Sequence, residues 1–220
     1  MENTTDTRFA RNLLAGGMLA GPLYIFLGLV QIIIRSDFDP TRHSLSLMSN
    51  GDLGWIQIGN FLLTGLLVVA GAIGSRHVLH NKVGGFWGPL LLGLYGLGLI
   101  GSGIFVADPM HAFPPGTPAG PPVEPTTSGM LHIVTGSLGF LGLIAACFVF
   151  ARHFALQQQR NWAAYSVATA VIFLAGFIGI AAGSQQTGTA LQVVTLAFTM
   201  AVILGWAWIS LVMAQLMKYL

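Results

Sequence analysis

The chain has very few charged residues. Asp, Glu, Lys and Arg make up only 7 % of its 220 residues, whereas 54 % of the residues are hydrophobic. A soluble domain carries about 25 % charged residues, because its surface faces water. This deficit excludes a sizeable soluble domain and indicates that most of the surface faces lipid. The net charge of +2 contains no basic cluster, which disfavours nucleic acid as a partner.

Cysteine is equally scarce. The one cysteine, Cys147, lies inside an apolar run, and the chain therefore cannot form an intrachain disulfide. A free cysteine of this kind behaves as a small hydrophobic residue. We interpret Cys147 as interior packing, and it gives no evidence about the redox compartment.

Long apolar runs occupy most of the remaining sequence. A membrane-spanning helix needs about 20 mostly apolar residues. Six segments meet this requirement: 12–34, 54–75, 86–107, 129–150, 162–183 and 190–216. We therefore predict an all-α fold, a single six-helix transmembrane domain over residues 1–220. We expect the polar residues 1–11 to be loosely ordered.

The predicted helix cores contain no Asp, Glu, Lys or Arg. Intramembrane ionisable groups mark proton relays and ion pathways, so their absence argues against a coupled transporter. Milder polar residues are present, and Gln57, Asn60 and Thr64 share one face of the second helix through their i, i+3, i+7 spacing. They predict either hydrogen bonds between helices or the polar lining of a pocket.

The placement of Lys and Arg predicts the orientation, because basic residues concentrate on the cytoplasmic side. With both termini inside, seven of the nine basic residues are cytoplasmic and two, Arg35 and Arg42, are outside. The two long connections, 35–53 and 108–128, are then both outside. We expect them to form an extracytoplasmic cap over the bundle, in a cell membrane of prokaryotic type.

Glycine and tryptophan each suggest a packing role. Several glycines are four residues apart, as are Gly17 and Gly21, and small residues let helices approach closely in lipid. The spacing predicts tight packing within the bundle or a homodimer contact through the glycine-rich faces. The tryptophans lie mostly near predicted helix ends, where interfacial anchoring would explain them: Trp55, Trp87, Trp162, Trp206 and Trp208.

Histidine and aspartate side chains, which could bind a ligand or take part in catalysis, occur at the predicted outer end of the bundle. Four of them form the candidate cluster: His43, Asp108, His111 and His132. Three histidines and a carboxylate could hold a divalent metal with an open position that polarises water, at the height of lipid headgroups. The spacing equally suits a hydrogen-bonded Asp–His pair that fastens the loop to the helix end, or another ligand-binding role.

Two blocks of sequence carry a resemblance to a known family. One is HSLSLMSNGDLGWIQIGNFLLTG, at residues 43–65, and the other is the connection FVADPMHAFPPGTP…SGMLH between the third and fourth helices. Together with the six-helix profile, they make the chain similar to the bacterial and archaeal membrane proteins of the domain of unknown function 998 (DUF998). The resemblance implies a helical integral membrane protein and brings no established activity.

Three functions remain open on this evidence. The first is a protein that binds a membrane lipid or membrane partner through its extracytoplasmic loops. The second is a metal-dependent lipid hydrolase or transferase that uses the outer His/Asp cluster. The third is a permease for an uncharged or amphipathic solute, which needs a continuous polar path from Gln57 and Asn60 towards Gln192.

Overall fold

The structure, a computed structural model, describes residues 4–122 and 124–220 and is all-helical over these residues. Six helices are each long and apolar enough to cross a membrane, which confirms the predicted fold class. They are α1 Thr4–Ile34, α2 Gly54–Val78, α3 Trp87–Ile104, α4 Thr127–Leu156, α5 Arg160–Gly183 and α6 Gly188–Met217. A short 3-10 helix, Leu45–Ser49, lies between α1 and α2.

The helices are longer at some ends than the hydropathy predicts. Loose order was expected for residues 1–11. Residues 1–3 lie outside the described residues, and for residues 4–11 the expectation is wrong, because α1 already begins at Thr4. Asp6 lies in its first turn, where a carboxylate interacts favourably with the helix dipole. Polar residues at the ends of a spanning helix reach water while their backbone remains helical, so hydropathy underestimates the helix length.

The six helices form a closed ring. Each helix packs against the next one along the chain, and α6 returns to pack against α1. Short connections at 79–86, 157–159 and 184–187 make successive helices antiparallel neighbours. With six helices, the start of α1 and the end of α6 lie at the same end of the bundle. The long connections 35–53 and 105–126 lie at the opposite end.

Glycine permits the closest helix contacts in the ring. A Cβ atom at Gly17 would lie 2.8 Å from the Cα of Gly71, and one at Gly98 would lie 2.7 Å from the Cα of Gly139. Such backbone approach is how helices without a hydrophobic driving force gain packing energy in lipid. These contacts lie within one chain, and the homodimer contact through glycine-rich faces stays a prediction.

Interfacial anchoring is the wrong interpretation for two of the tryptophans. Trp206 and Trp208 on α6 have no exposed surface. The ring of Trp206 stacks on Tyr24 of α1, with 4.6 Å between the centroids, and the indole N–H of Trp208 donates to Oγ of Ser166 on α5 over 2.9 Å. Both therefore belong to the core that joins α6 to its neighbours.

Candidate functional site

The two long connections pack against each other at one end of the bundle, and we call residues 35–53 and 105–126 the loop cap. Its interior is an apolar cluster that draws from both connections: Phe38, Leu47, Met48, Ala107 and Phe113. The rings of Phe38 and Phe113 meet edge to face at 5.2 Å. The loop cap therefore has a small core of its own, in addition to the core of the helix ring.

Arg35 organises the loop cap, a role that the sequence did not reveal. It follows α1 directly and is only 5 % exposed. Its guanidinium donates to the carbonyl oxygens of Met48, at 2.7 Å, and Asn50, at 2.6 Å, and lies 4.7 Å from the ring centre of Phe113. One side chain thus binds both connections. The sequence did contain one signal for this role. Arg35 is one of only two basic residues on the predicted outer side, and it comes directly after the first helix.

His43 forms hydrogen bonds through both nitrogens of its ring, one within its own connection and one to the other connection. Nδ1 accepts the backbone N–H of Asp39 over 2.9 Å, so the ring proton is on Nε2, which donates to the carbonyl oxygen of His111 over 3.0 Å. Burial lowers the pKa of His43 and outweighs the opposing effects of the His111 bond and of Asp39. The neutral ring is therefore the form that fits this position.

His111 connects the loop cap to the short turn between α5 and α6. Its Nε2 donates to the carbonyl oxygen of Ser184 over 3.1 Å. The residue has φ 57°, a left-handed conformation that non-glycine residues seldom adopt, and Ala112 follows with φ 65°. These two residues turn the chain so that the carbonyl of His111 meets His43 while its ring points towards Ser184.

Asp108 lies just after α3 and fastens the start of the connection 105–126 to the start of α4. Its Oδ2 accepts the backbone N–H of Thr126 over 3.0 Å, and its Oδ1 accepts the Thr126 hydroxyl over 2.6 Å. The hydroxyl oxygen of Thr126 in turn accepts the N–H of Gly129 and caps α4. This is the role of fastening a loop to a helix end, although the partner of Asp108 is a threonine and not a histidine.

His132 lies about one turn further into α4 and is 9 % exposed. Its Nδ1 donates to two carbonyl oxygens near the end of α3, those of Ser102, at 3.1 Å, and Phe105, at 2.8 Å. The proton is therefore on Nδ1, and Nε2 is left with its lone pair. No described residue donates a hydrogen bond to that atom.

The candidate cluster does not assemble as a metal site in the described part of the chain. No group of three or more His, Cys, Asp or Glu side chains is placed to hold a metal ion among residues 4–122 and 124–220. The physical reason is that His43, His111 and His132 each point a ring nitrogen at a different backbone carbonyl, while Asp108 binds Thr126.

A cavity of about 490 Å³ lies beneath the loop cap, inside the ring. All six helices and both long connections contribute to its lining. Its deeper wall is aromatic and aliphatic, with Phe61, Tyr95, Phe140, Phe177 and Phe198 among its members. The part nearest the loop cap is mixed. Its polar side chains are those of Ser44, Ser46, Asp108, His132, Ser184 and Gln185, and its apolar ones are those of Leu45, Leu47, Ala107, Met110, Pro122 and Pro125. The cavity thus has an aromatic deeper wall and carries polar groups among apolar ones near the loop cap.

Two residues that line the cavity are also exposed at the surface of the ring. They are Ile133 of α4, which is 62 % exposed, and Ala181 of α5. The tight connection between these helices, 157–159, is at the opposite end of the bundle. The exposed lining residues therefore lie towards the loop-cap ends of α4 and α5.

The pocket-lining candidates on α2 lie elsewhere. Gln57 accepts from Gln31 over 2.8 Å, Asn60 donates to the carbonyl oxygen of Tyr24 over 3.2 Å, and Thr64 donates to the carbonyl oxygen of Asn60 over 2.6 Å. The lining of the cavity includes none of these three, nor Gln192. The hydrogen bonds of Gln57 and Asn60 join α2 to α1, which was the other interpretation of their spacing, whereas the bond of Thr64 lies within α2.

Comparison with known proteins identifies a family without a described activity. The family model described as Protein of unknown function (DUF998) matches residues 18–215, which is most of the chain. Neither the curated proteins nor the solved structures provide a match. The site therefore has to be interpreted from its own geometry.

Proposed function

The chain belongs to the DUF998 family of membrane proteins, and we propose that it binds one amphipathic lipid in the cavity beneath its loop cap. The observation that carries this proposal is the distribution of polarity along the cavity. An aromatic and aliphatic wall lies within the helix ring, and serine, aspartate and histidine side chains lie towards the loop cap. A lipid has the same arrangement, with a hydrocarbon chain below a polar head.

The size of the cavity supports this proposal. Its volume of about 490 Å³ falls within the range of roughly 300–1,000 Å³ that is usual for sites that bury small molecules. The lining runs along α4 from Gly129 to Phe140, which is about 16 Å at 1.5 Å per helical residue. A space of this shape accommodates an aliphatic chain oriented along the helices.

The opening that we propose for the lipid lies between α4 and α5. Its support is that Ile133 and Ala181 line the cavity and are also exposed at the surface of the ring. A lipid that enters sideways there keeps its chain in hydrocarbon throughout, which avoids the cost of exposing that chain to water.

The orientation that we propose has the loop cap outside the cell membrane and both termini in the cytoplasm. Its support is the distribution of basic residues, seven on the side of the termini and two on the side of the loop cap. The lipid head would then lie in the outer leaflet.

Photolabelling tests the binding proposal. The purified protein in lipid nanodiscs is labelled with a single-chain C18 alcohol that carries a diazirine in its chain, and the labelled peptides are mapped. We expect saturable labelling in the cavity-lining parts of α4, α5 and α6. Labelling that does not saturate, or that falls only on outward-facing positions, would overturn the proposal.

A matched pair of variants gives the test its specificity. Ala181→Trp places a large ring at the opening, whereas Ala175→Trp places the same ring on an exposed position of the same helix that does not line the cavity. We expect the first variant to lose saturable labelling and the second to keep it. Equal labelling of the two would show that the probe does not use this opening.

A further inference from the structure

Building on the proposed function, we infer that the bound lipid is uncharged and that a hydroxyl group of its head donates a hydrogen bond to Nε2 of His132. Three observations carry this inference. They are the hydrogen bonds that fix the ring of His132, the absence of basic residues from the described lining, and the hydrogen bonds that already occupy Asp108.

His132 presents an acceptor to the cavity. The Nδ1–H of His132 donates to the carbonyl oxygens of Ser102 and Phe105. This fixes the tautomer in which Nε2 carries a lone pair. The residue is 9 % exposed and lines the cavity. Nε2 has no donor among the described residues and is not a fully buried atom, so it is accessible from the cavity. A ligand group with an O–H or N–H can donate a hydrogen bond to it there. The complementary ligand group is therefore a donor.

An anionic head does not suit this lining. Among the described residues that line the cavity, none is Lys or Arg. Arg35, the nearby arginine of the loop cap, directs its guanidinium at the carbonyls of Met48 and Asn50. A phosphate or carboxylate would enter a poorly hydrated space beside Asp108 without a cation to compensate it, which is strongly unfavourable.

A cationic head is not required by Asp108. Both of its carboxylate oxygens already accept hydrogen bonds from Thr126, at the N-terminus of α4, where the helix dipole favours negative charge. The remaining polar lining consists of neutral groups, among them the hydroxyls of Ser44, Ser46, Ser102 and Ser137. A hydroxyl head finds both donors and acceptors there.

Competition against the photoprobe tests the inference with four C18:1 compounds that differ only in the head. These are oleyl alcohol, its methyl ether, oleate at pH 8, and oleylamine. The methyl ether keeps the head oxygen as a hydrogen-bond acceptor but has no O–H group to donate. We expect the alcohol to displace the probe about fivefold more effectively than the ether, as one neutral hydrogen bond allows. Oleate is expected to be weaker than the alcohol by about tenfold or more.

Two variants link this preference to His132. In His132→Asn, the amide N–H₂ can replace the donor at Nδ1 and keep the bonds to Ser102 and Phe105, whereas no atom reaches the position of Nε2. We expect the variant to fold and to bind the alcohol and the ether equally. The control is His153→Asn, since His153 lies on the same helix and also donates from Nδ1 to a carbonyl, that of Val83, but does not line the cavity.

The outcomes separate the two proposals. If none of the four compounds displaces the probe, the binding function itself is wrong. If oleate or oleylamine competes as well as oleyl alcohol, or if His132→Asn keeps the preference for the alcohol, the cavity binds lipid but the inference about its head is wrong. Retention of the preference in His153→Asn, together with its loss in His132→Asn, supports the inference.

Discussion

The carboxylate of Asp108 accepts both the backbone N–H and the hydroxyl of Thr126, the residue that caps α4. This pair connects the end of α3 to the start of α4 directly beside the cavity. It also fixes the helix that carries His132. Of the roles that the sequence left open for Asp108, these bonds match the fastening of a loop to a helix end, with Thr126 as the partner instead of a histidine.

Asp108→Asn should destabilise the protein by about 1–2 kcal/mol, because the amide can accept only one of the two hydrogen bonds and loses the charge assistance. Chemical unfolding in detergent, followed by circular dichroism, measures this change. Glu124→Gln is the control, since Glu124 is an exposed carboxylate of the same loop cap. Equal unfolding midpoints for the two variants would contradict the role given to Asp108.

Arg35→Ala should cost about 3 kcal/mol or more, because it leaves the buried carbonyls of Met48 and Asn50 without a donor and removes the cation from the ring of Phe113. We expect limited proteolysis to cleave residues 35–53 much faster in this variant. Arg42→Ala, which removes an exposed arginine from the same connection, should leave the cleavage rate unchanged. A slow rate in Arg35→Ala would show that the loop cap does not depend on the guanidinium.

The loop cap should loosen on mild acidification through His43. Burial lowers the pKa of His43 in the folded protein from its ordinary value of 6.5. The unfolded state then binds more protons than the folded state, so the stabilisation is complete above about pH 6.5 and is lost as the pH falls below it. Protonation of Nδ1 would also break its hydrogen bond from the N–H of Asp39.

Hydrogen exchange of residues 35–53 between pH 7.5 and pH 5, corrected for the intrinsic rate, measures this effect. Asp39 does not obscure this effect. Burial raises its pKa, but the hydrogen bonds from Thr41 together with the charges of His43 and Arg42 lower it below its ordinary value, so its contribution is lost only in stronger acid. We expect protection to fall in the wild type and to stay constant in His43→Asn, which keeps an acceptor for the Asp39 N–H. A pH response that persists in His43→Asn would assign the effect to another group.

The proposed orientation predicts which loop an impermeant thiol reagent reaches. Ala119→Cys places an exposed thiol in the loop cap, and Asn81→Cys places one at the opposite end of the bundle. Gly116 is less suitable, because its φ of 92° disfavours any residue with a side chain. Intact cells should label only Ala119→Cys, and Cys147 is buried and should not react. The reverse pattern would invert the orientation.

The helices could be predicted from the sequence because each spanning segment is a continuous apolar run, a local property. The ends of the helices were predicted less accurately. Residues 4–11 and 151–156 are helical although polar or charged residues occur among them. Hydropathy does not measure whether the backbone of such residues continues the helix.

The candidate site was predicted only in part. The sequence identified His43, Asp108, His111 and His132 by residue type, and the structure places all four at the loop-cap end. Their partners are mostly backbone carbonyls, whose positions depend on loop conformations such as the left-handed turn at His111. The cavity was missed because its wall, including Phe140, Phe177 and Phe198, forms only when three helices pack together.

Native mass spectrometry of the detergent-purified protein tests the central claim most directly, since it counts the molecules that stay bound. We expect one lipid to be retained per chain in the wild type and in Ala175→Trp, and none in Ala181→Trp. A wild-type protein that is fully free of lipid under conditions that preserve its fold, or a lipid equally retained in Ala181→Trp, would contradict it.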